Sequence, residues 1–180
     1  MDRAGGASLL LPSMVDVLAI AGSPSRASRG QALAEAALAH AAAAGLRVGL
    51  VAVRELPACA LVAADIAAPP IAATLRLVAE ARALLVLTPV YKAAYTGLLK
   101  LFLDLLPADA FAGKLILPVV LAASPAHALA LEHALKPVLA SLSPRLVLPG
   151  LFALDRDPET SRRLVDAVDE LIAWLSLKGT

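Results

Sequence analysis

Residues 15–31 read VDVLAIAGSPSRASRGQ, and this stretch decides the architecture. Val15 to Ile20 is apolar except for Asp16 and has the length of a strand. It closes on Ala21-Gly22-Ser23-Pro24, whose Gly and Pro mark a sharp turn. From Ser28 to about Ala44 the chain is Ala-rich and helical, with Gly45 as its stop. Working outward, the same alternation repeats: Leu46 to Val53 reads as a strand, Ile71 to about Ala81 as a helix, and Ala83 to Leu87 as a charge-free central strand. An uninterrupted apolar run suits a strand buried on both faces of a parallel sheet. Leu115 to Leu121 and Arg145 to Leu154 complete five strands, the last interrupted at Pro149-Gly150. Helices are expected at Gly97 to Leu106 and His127 to Leu142. A final helix is expected from an Asp157 cap and Pro158 to about Leu177. The pattern predicts an α/β fold, a doubly wound, open, five-stranded parallel sheet with helices on both faces. Cys59 to Pro70 reads as an irregular apolar stretch.

The 180 residues fit one domain, taken as 14–180, with residues 1–13 as a disordered extension. Apolar residues make up 59% and aromatics 3%, so Ala, Leu and Val must build the core and a disordered chain is excluded. A formal charge of +1 lacks the basic footprint of a nucleic-acid binder and the acidity of many small electron carriers. The mean hydropathy of +0.78 raises the question of a membrane span. The longest charge-free run, between Lys114 and Glu132, is broken by Pro118, Ser124, Pro125 and His127, so a soluble, cytoplasmic protein is expected. The single Cys59 excludes an internal disulfide and reads as a small buried hydrophobe in a reducing compartment.

In a doubly wound sheet the ligand sits beyond the carboxyl ends of the strands, which singles out three loops. The first, Gly22 to Gln31, combines hydroxyls and two arginines with a helix start, a donor set that suits a phosphate. No GxGxxG and no Lys-Ser/Thr pair is present, so neither a dinucleotide fingerprint nor a nucleoside-triphosphate loop is indicated. The same residues are also what an ordinary Ser-capped turn requires. The second loop, Thr88 to Thr96, holds both tyrosines and Lys92 beside the central strand. It suits the wall of a flat cofactor or a structural loop with a snorkelling lysine. The third, Ala122 to His127, has small residues that permit close approach by a ligand, and His127 there suits equally a place at the site or one that only caps a helix or fills space. The helix at Gly97 to Leu106 is apolar around most of its girth, which predicts a subunit interface.

Together, Ala21-Gly22-Ser23-Pro24 with its Ser/Arg tail, Thr88 to Lys100 with Asp104-Leu105-Leu106, and Ala126 to Pro137 resemble the NAD(P)H-dependent FMN reductase family. The flavodoxin-like FMN reductases of alkanesulfonate assimilation are nearest, and the resemblance covers residues 14 to 177. It implies an enzyme that reduces FMN with NADPH or NADH and hands it to a partner monooxygenase. Ser23, Ser28, Arg29, Gly30 and Gln31 would hold the FMN phosphate. Pro89, Val90, Tyr91 and Lys92 would border the ring, and Ser124 would close the other side. The flavin carries the chemistry, so no catalytic acid or base and no metal is implied. Two positions depart from the family pattern: Ala122-Ala123 replaces glycines, and His133 stands where the alkanesulfonate reductases carry a Tyr in a π-helix at a tetramer interface. Independently, Pro137 cannot donate to the His133 carbonyl, so a kink or π-bulge is expected there. With the resemblance, this suggests that His133 meets a neighbouring subunit of a dimer or tetramer, the alternative being a solvent-facing helix histidine. A quinone or azo reductase with retained FMN is the first alternative, disfavoured by the few aromatic residues. A flavodoxin-like electron carrier is the second, disfavoured by the near-neutral charge.

Overall fold

The structure is a computed structural model that describes residues 15–177; the expected extension at residues 1–13 lies outside them. Strands β1 (Val17–Ala21), β2 (Val48–Ala52), β3 (Ala83–Tyr91) and β5 (Leu115–Ala122) form a parallel sheet in the order β2-β1-β3-β5. The fifth position is filled in two pieces, β6 (Leu146–Val147) and β7 (Leu151–Leu154), both parallel to β5. The interruption has a steric cause. Gly150 turns at φ +78°, and a Cβ there would lie 2.5 Å from the Pro118 carbonyl oxygen, so only glycine passes this crossing.

Helices α1 (Arg29–Ala43) and α6 (Thr160–Ser176) cover one face of the sheet. On the other face lie α2 (Ala58–Val62), α3 (Pro69–Glu80) and α4 (Gly97–Leu103), with a π-helical segment, Ala130–Leu135, that runs into α5 (Lys136–Ala140). Alternation within the strands divides the core. Leu18, Ile20, Leu84 and Val86 point to the second face, while Val17, Ala19, Leu85 and Leu87 point to the first. Below the sheet Asp16 accepts from Arg47 Nε at 2.9 Å and Arg82 Nη1 at 3.5 Å, joining the starts of three strands. Among the described residues, no helix is long and apolar enough to cross a membrane.

Several expectations need correction. Residues 59–70 are not irregular throughout: Ala58–Val62 is helical, because Ala60 and Leu61 have a core to bury against, and α3 begins at Pro69. Cys59 points outward and is exposed, not packed. The last helix starts at Thr160 rather than Pro158; Asp157 instead closes a turn, accepting from the Glu159 amide at 2.9 Å. The apolar girth of α4 is largely used within the chain, where Leu99, Phe102, Leu103, Leu105 and Leu106 are buried. Leu101 alone of this stretch is a large apolar side chain counted as exposed.

The segment expected as a helix from His127 to Leu142 is composite. A 3₁₀ turn, Pro125–His127, leads to the π-helical segment and then to α5. Pro137 removes the amide that would have bonded the His133 carbonyl, and the widened turn lies immediately before it.

Candidate active site

Strand order reverses between β1 and β3, and a cavity of about 350 Å³ opens there at the carboxyl edge. Its lower end is built by the first loop. Ser28 takes the extended conformation of an N-cap, and its Oγ accepts from the Gln31 amide at 3.4 Å. The Arg29 and Gly30 amides, in the first turn of α1, have no intrahelical acceptor. Ser23, Ser25, Ser28, Arg29 and Gly30 line this end, so hydroxyl-bearing side chains and a helix N-terminus converge on one spot. Pro89 and Tyr91 from β3 and Leu121 from β5 form the opposite wall.

The second loop is not a loop. Strand β3 continues through Thr88 to Tyr91, turns at Lys92-Ala93 and returns as β4 (Ala94–Tyr95), paired antiparallel. Lys92 and Ala93 have φ of 51° and 65°, the left-handed pair that a two-residue hairpin turn needs. Strand periodicity then divides the four residues expected at the ring. Pro89 and Tyr91 face the cavity, whereas Val90 packs on the core behind and Lys92 sits exposed at the turn. Tyr95 also packs against that core, and burial pushes its phenol up, so it stays neutral.

A buried hydroxyl pair ties the loops together. Thr96 caps α4 and donates to the Gly22 carbonyl at 2.5 Å, while its own amide donates to Thr88 Oγ1 at 3.1 Å. A side chain at Gly22 would meet Leu99 Cβ at 2.7 Å, so the backbone approach of the first loop to α4 requires glycine.

Gln31 is placed differently from the expectation. Its side chain points away from the cavity, donating to Glu35 at 2.8 Å and accepting from Arg54. Arg54 also donates to the Ser25 carbonyl at 2.9 Å, so it holds the first loop from the turn after β2. Ser124 is half-buried, caps the 3₁₀ turn by accepting from the Ala126 amide at 3.3 Å, and does not line this cavity. Ala122 is buried, and Ala123 lies instead on a neighbouring cavity. Sequence reasoning missed Ser25, Arg54 and Asp155; the last arrives from the end of β7 and lines the cradle. The signal for Asp155 was its place just past a strand end, in a loop left out of the three considered.

Over residues 15–159 the sequence matches the family of NADPH-dependent FMN reductases. The chain belongs to this family. It is 44% identical over 139 residues to FMN reductase (NADPH) of Pseudomonas putida strain KT2440, spanning 77% of this chain and 71% of that one. NADH-dependent FMN reductase SfnE of Pseudomonas putida is 36% identical, with 77% and 76% covered. The solved structure of an NADH:FMN oxidoreductase in its apo form superposes with a TM-score of 0.86 at 38% identity over 92% of each chain. An archaeal flavodoxin, 11% identical with a TM-score of 0.64, shares the fold. This FMN reductase is therefore an oxidoreductase that works with FMN and NADPH or NADH. One end of its cradle suits the phosphate of FMN. The hydroxyl and amide donors, with Arg29 beside them, match a phosphate, and a Cβ at Gly30 would stand 3.4 Å from Ser28 Oγ and 3.6 Å from Leu121, partly filling the cradle floor.

Proposed function

We propose that this reductase takes up FMN, reduces it with NADPH or NADH, and releases it to a flavin-dependent monooxygenase, such as one acting on alkanesulfonates. The observation that carries this reading is the asymmetry of the cradle. Its phosphate end is crowded with donors, whereas its ring wall is Pro89, Leu121 and a Tyr91 that is 50% exposed. A flavin held mainly by its phosphate, beside a half-open wall, is free to leave. Bound FMN supplies the electron-transfer chemistry. The chain's own residues grip and orient: Ser23, Ser28, Arg29 and Gly30 hold the phosphate, and Pro89 and Tyr91 set the ring's edge. Ser124 shapes the third loop by capping its turn.

The assembly belongs to the same proposal. His133 is exposed on the π-helical segment and is assigned to contact a neighbouring subunit of a dimer or tetramer. NADPH or NADH oxidation, measured with and without added FMN on protein isolated nearly colourless, tests the reading. Turnover that saturates with free FMN is expected. A yellow protein that is indifferent to added FMN but turns over quinones would overturn release. Retention of both oligomer size and flavin affinity in His133→Ala would overturn the contact.

A further inference from the structure

A second cavity, of about 560 Å³, lies beside the cradle and is lined by Ala123, Leu154, Asp155, Arg156 and Asp157. Asp155 lines both cavities and so stands on the seam between them. We propose that this second cavity is the subsite for the phosphate and ribose portion of the nicotinamide dinucleotide, with Arg156 pairing with phosphate and Asp155 accepting from ribose hydroxyls. The proposal rests on the reading of the neighbouring cradle as the FMN site, because Asp155 borders both cavities and the nucleotide must bind next to the flavin it reduces.

The charges in this loop are unequally engaged. Asp157 is occupied, accepting from the Glu159 amide at 2.9 Å and from Arg163 Nη1 at 3.4 Å. Arg29 reaches toward the Asp157 carbonyl at 3.4 Å, and Arg54 is spent on Glu55, Ser25 and Gln31. Among the described residues, the Asp155 carboxylate and the Arg156 guanidinium make no side-chain hydrogen bond or ion pair. Only the Asp155 amide is engaged, donating to the Ala122 carbonyl at 2.9 Å, and that bond sets the loop against the end of β5.

Chemistry narrows the occupant. A free guanidinium recognises phosphate oxygens in a forked pair of hydrogen bonds. A free carboxylate accepts from hydroxyls and repels a second anion, so it fits a sugar diol. Ala123 and half-buried Leu154 add an apolar floor. A sugar phosphate joined to a flat group has these three features, and the cavity adjoins the cradle through Asp155, which lines both.

Three variants test this: Arg156→Ala, Asp155→Asn and, for the neighbouring cradle, Arg29→Ala. Direct binding of NADPH and NADH, read from nicotinamide fluorescence without FMN, is measured alongside FMN affinity and the nucleotide KM. Arg156→Ala is expected to weaken nucleotide binding and raise KM at least about tenfold, with FMN affinity within about twofold of wild type. Asp155→Asn is expected to weaken nucleotide binding as well. If Arg156→Ala leaves nucleotide binding unchanged, the subsite is overturned. If Asp155→Asn weakens only FMN, the carboxylate serves the flavin's ribityl chain and the ribose assignment is overturned. Failure of the cradle reading is separate: it appears as unchanged FMN affinity in Arg29→Ala, whatever the other two variants do.

Discussion

The Thr96 hydroxyl donates to the Gly22 carbonyl at 2.5 Å and accepts from the Leu99 amide at 3.1 Å, so one buried side chain caps α4 and pins the turn after β1. The two residues are 74 positions apart, and the bond joins the first loop, at the donor-rich end of the cradle, to the hairpin that carries its opposite wall. Thr96→Val keeps the shape but leaves a carbonyl and an amide without their partner. A loss of about 2 kcal/mol of stability is expected in denaturant titration, together with weaker FMN binding.

Two glycines of the first loop should behave differently. Gly22→Ala places a methyl 2.7 Å from Leu99 Cβ and forces a packed helix to move, costing about 1–3 kcal/mol. Gly30→Ala meets nothing closer than 3.4 Å, and alanine favours the helix, so thermal stability is expected to hold. Its methyl nevertheless enters the cradle, and FMN affinity should fall. Parallel melts and flavin titrations of the two variants check the contrast.

Arg54 is 12% exposed and bonds the Ser25 carbonyl and the Gln31 side chain from outside the cavity. Arg54→Ala should loosen the first loop without removing any group that lines the cradle. FMN affinity is expected to fall by up to about tenfold, while the affinity for a flavin lacking the phosphate changes little. Equal loss for both flavins would show that Arg54 does not act through the phosphate end.

The side-chain hydrogen bond from Arg47 holds the Asp16 carboxyl at about 2, below its ordinary 3.8, with Arg82 assisting. A depressed carboxylate stabilises the fold above its unfolded value and loses that stability as pH falls from near 4 through 2. The contribution is about 2 kcal/mol at neutral pH. Urea midpoints of the wild type should therefore drop across this window. Asp16→Asn should be less stable at pH 7 and show a flatter acid profile.

The alternation of apolar runs and helical segments was enough to place the parallel strands, because a strand covered on both faces must be apolar throughout, as Ala83 to Leu87 is. Pro137 likewise announced the π-helical segment, since a missing amide is a local covalent fact. The Ser-rich first loop was legible as a donor-rich helix start for the same reason: the donors are consecutive in the chain. Only the tertiary structure decided which residues face the cavity. Strand β3 runs on past Leu87, so its two-residue period sends Pro89 and Tyr91 into the cavity and Val90 into the core. Gln31 turns outward because Arg54, 23 residues away, draws it there, and Asp155 joins the cradle because β7 pairs with β5. Backbone preferences and turn chemistry are read along the chain, but a cavity is lined by residues that packing brings together from distant positions.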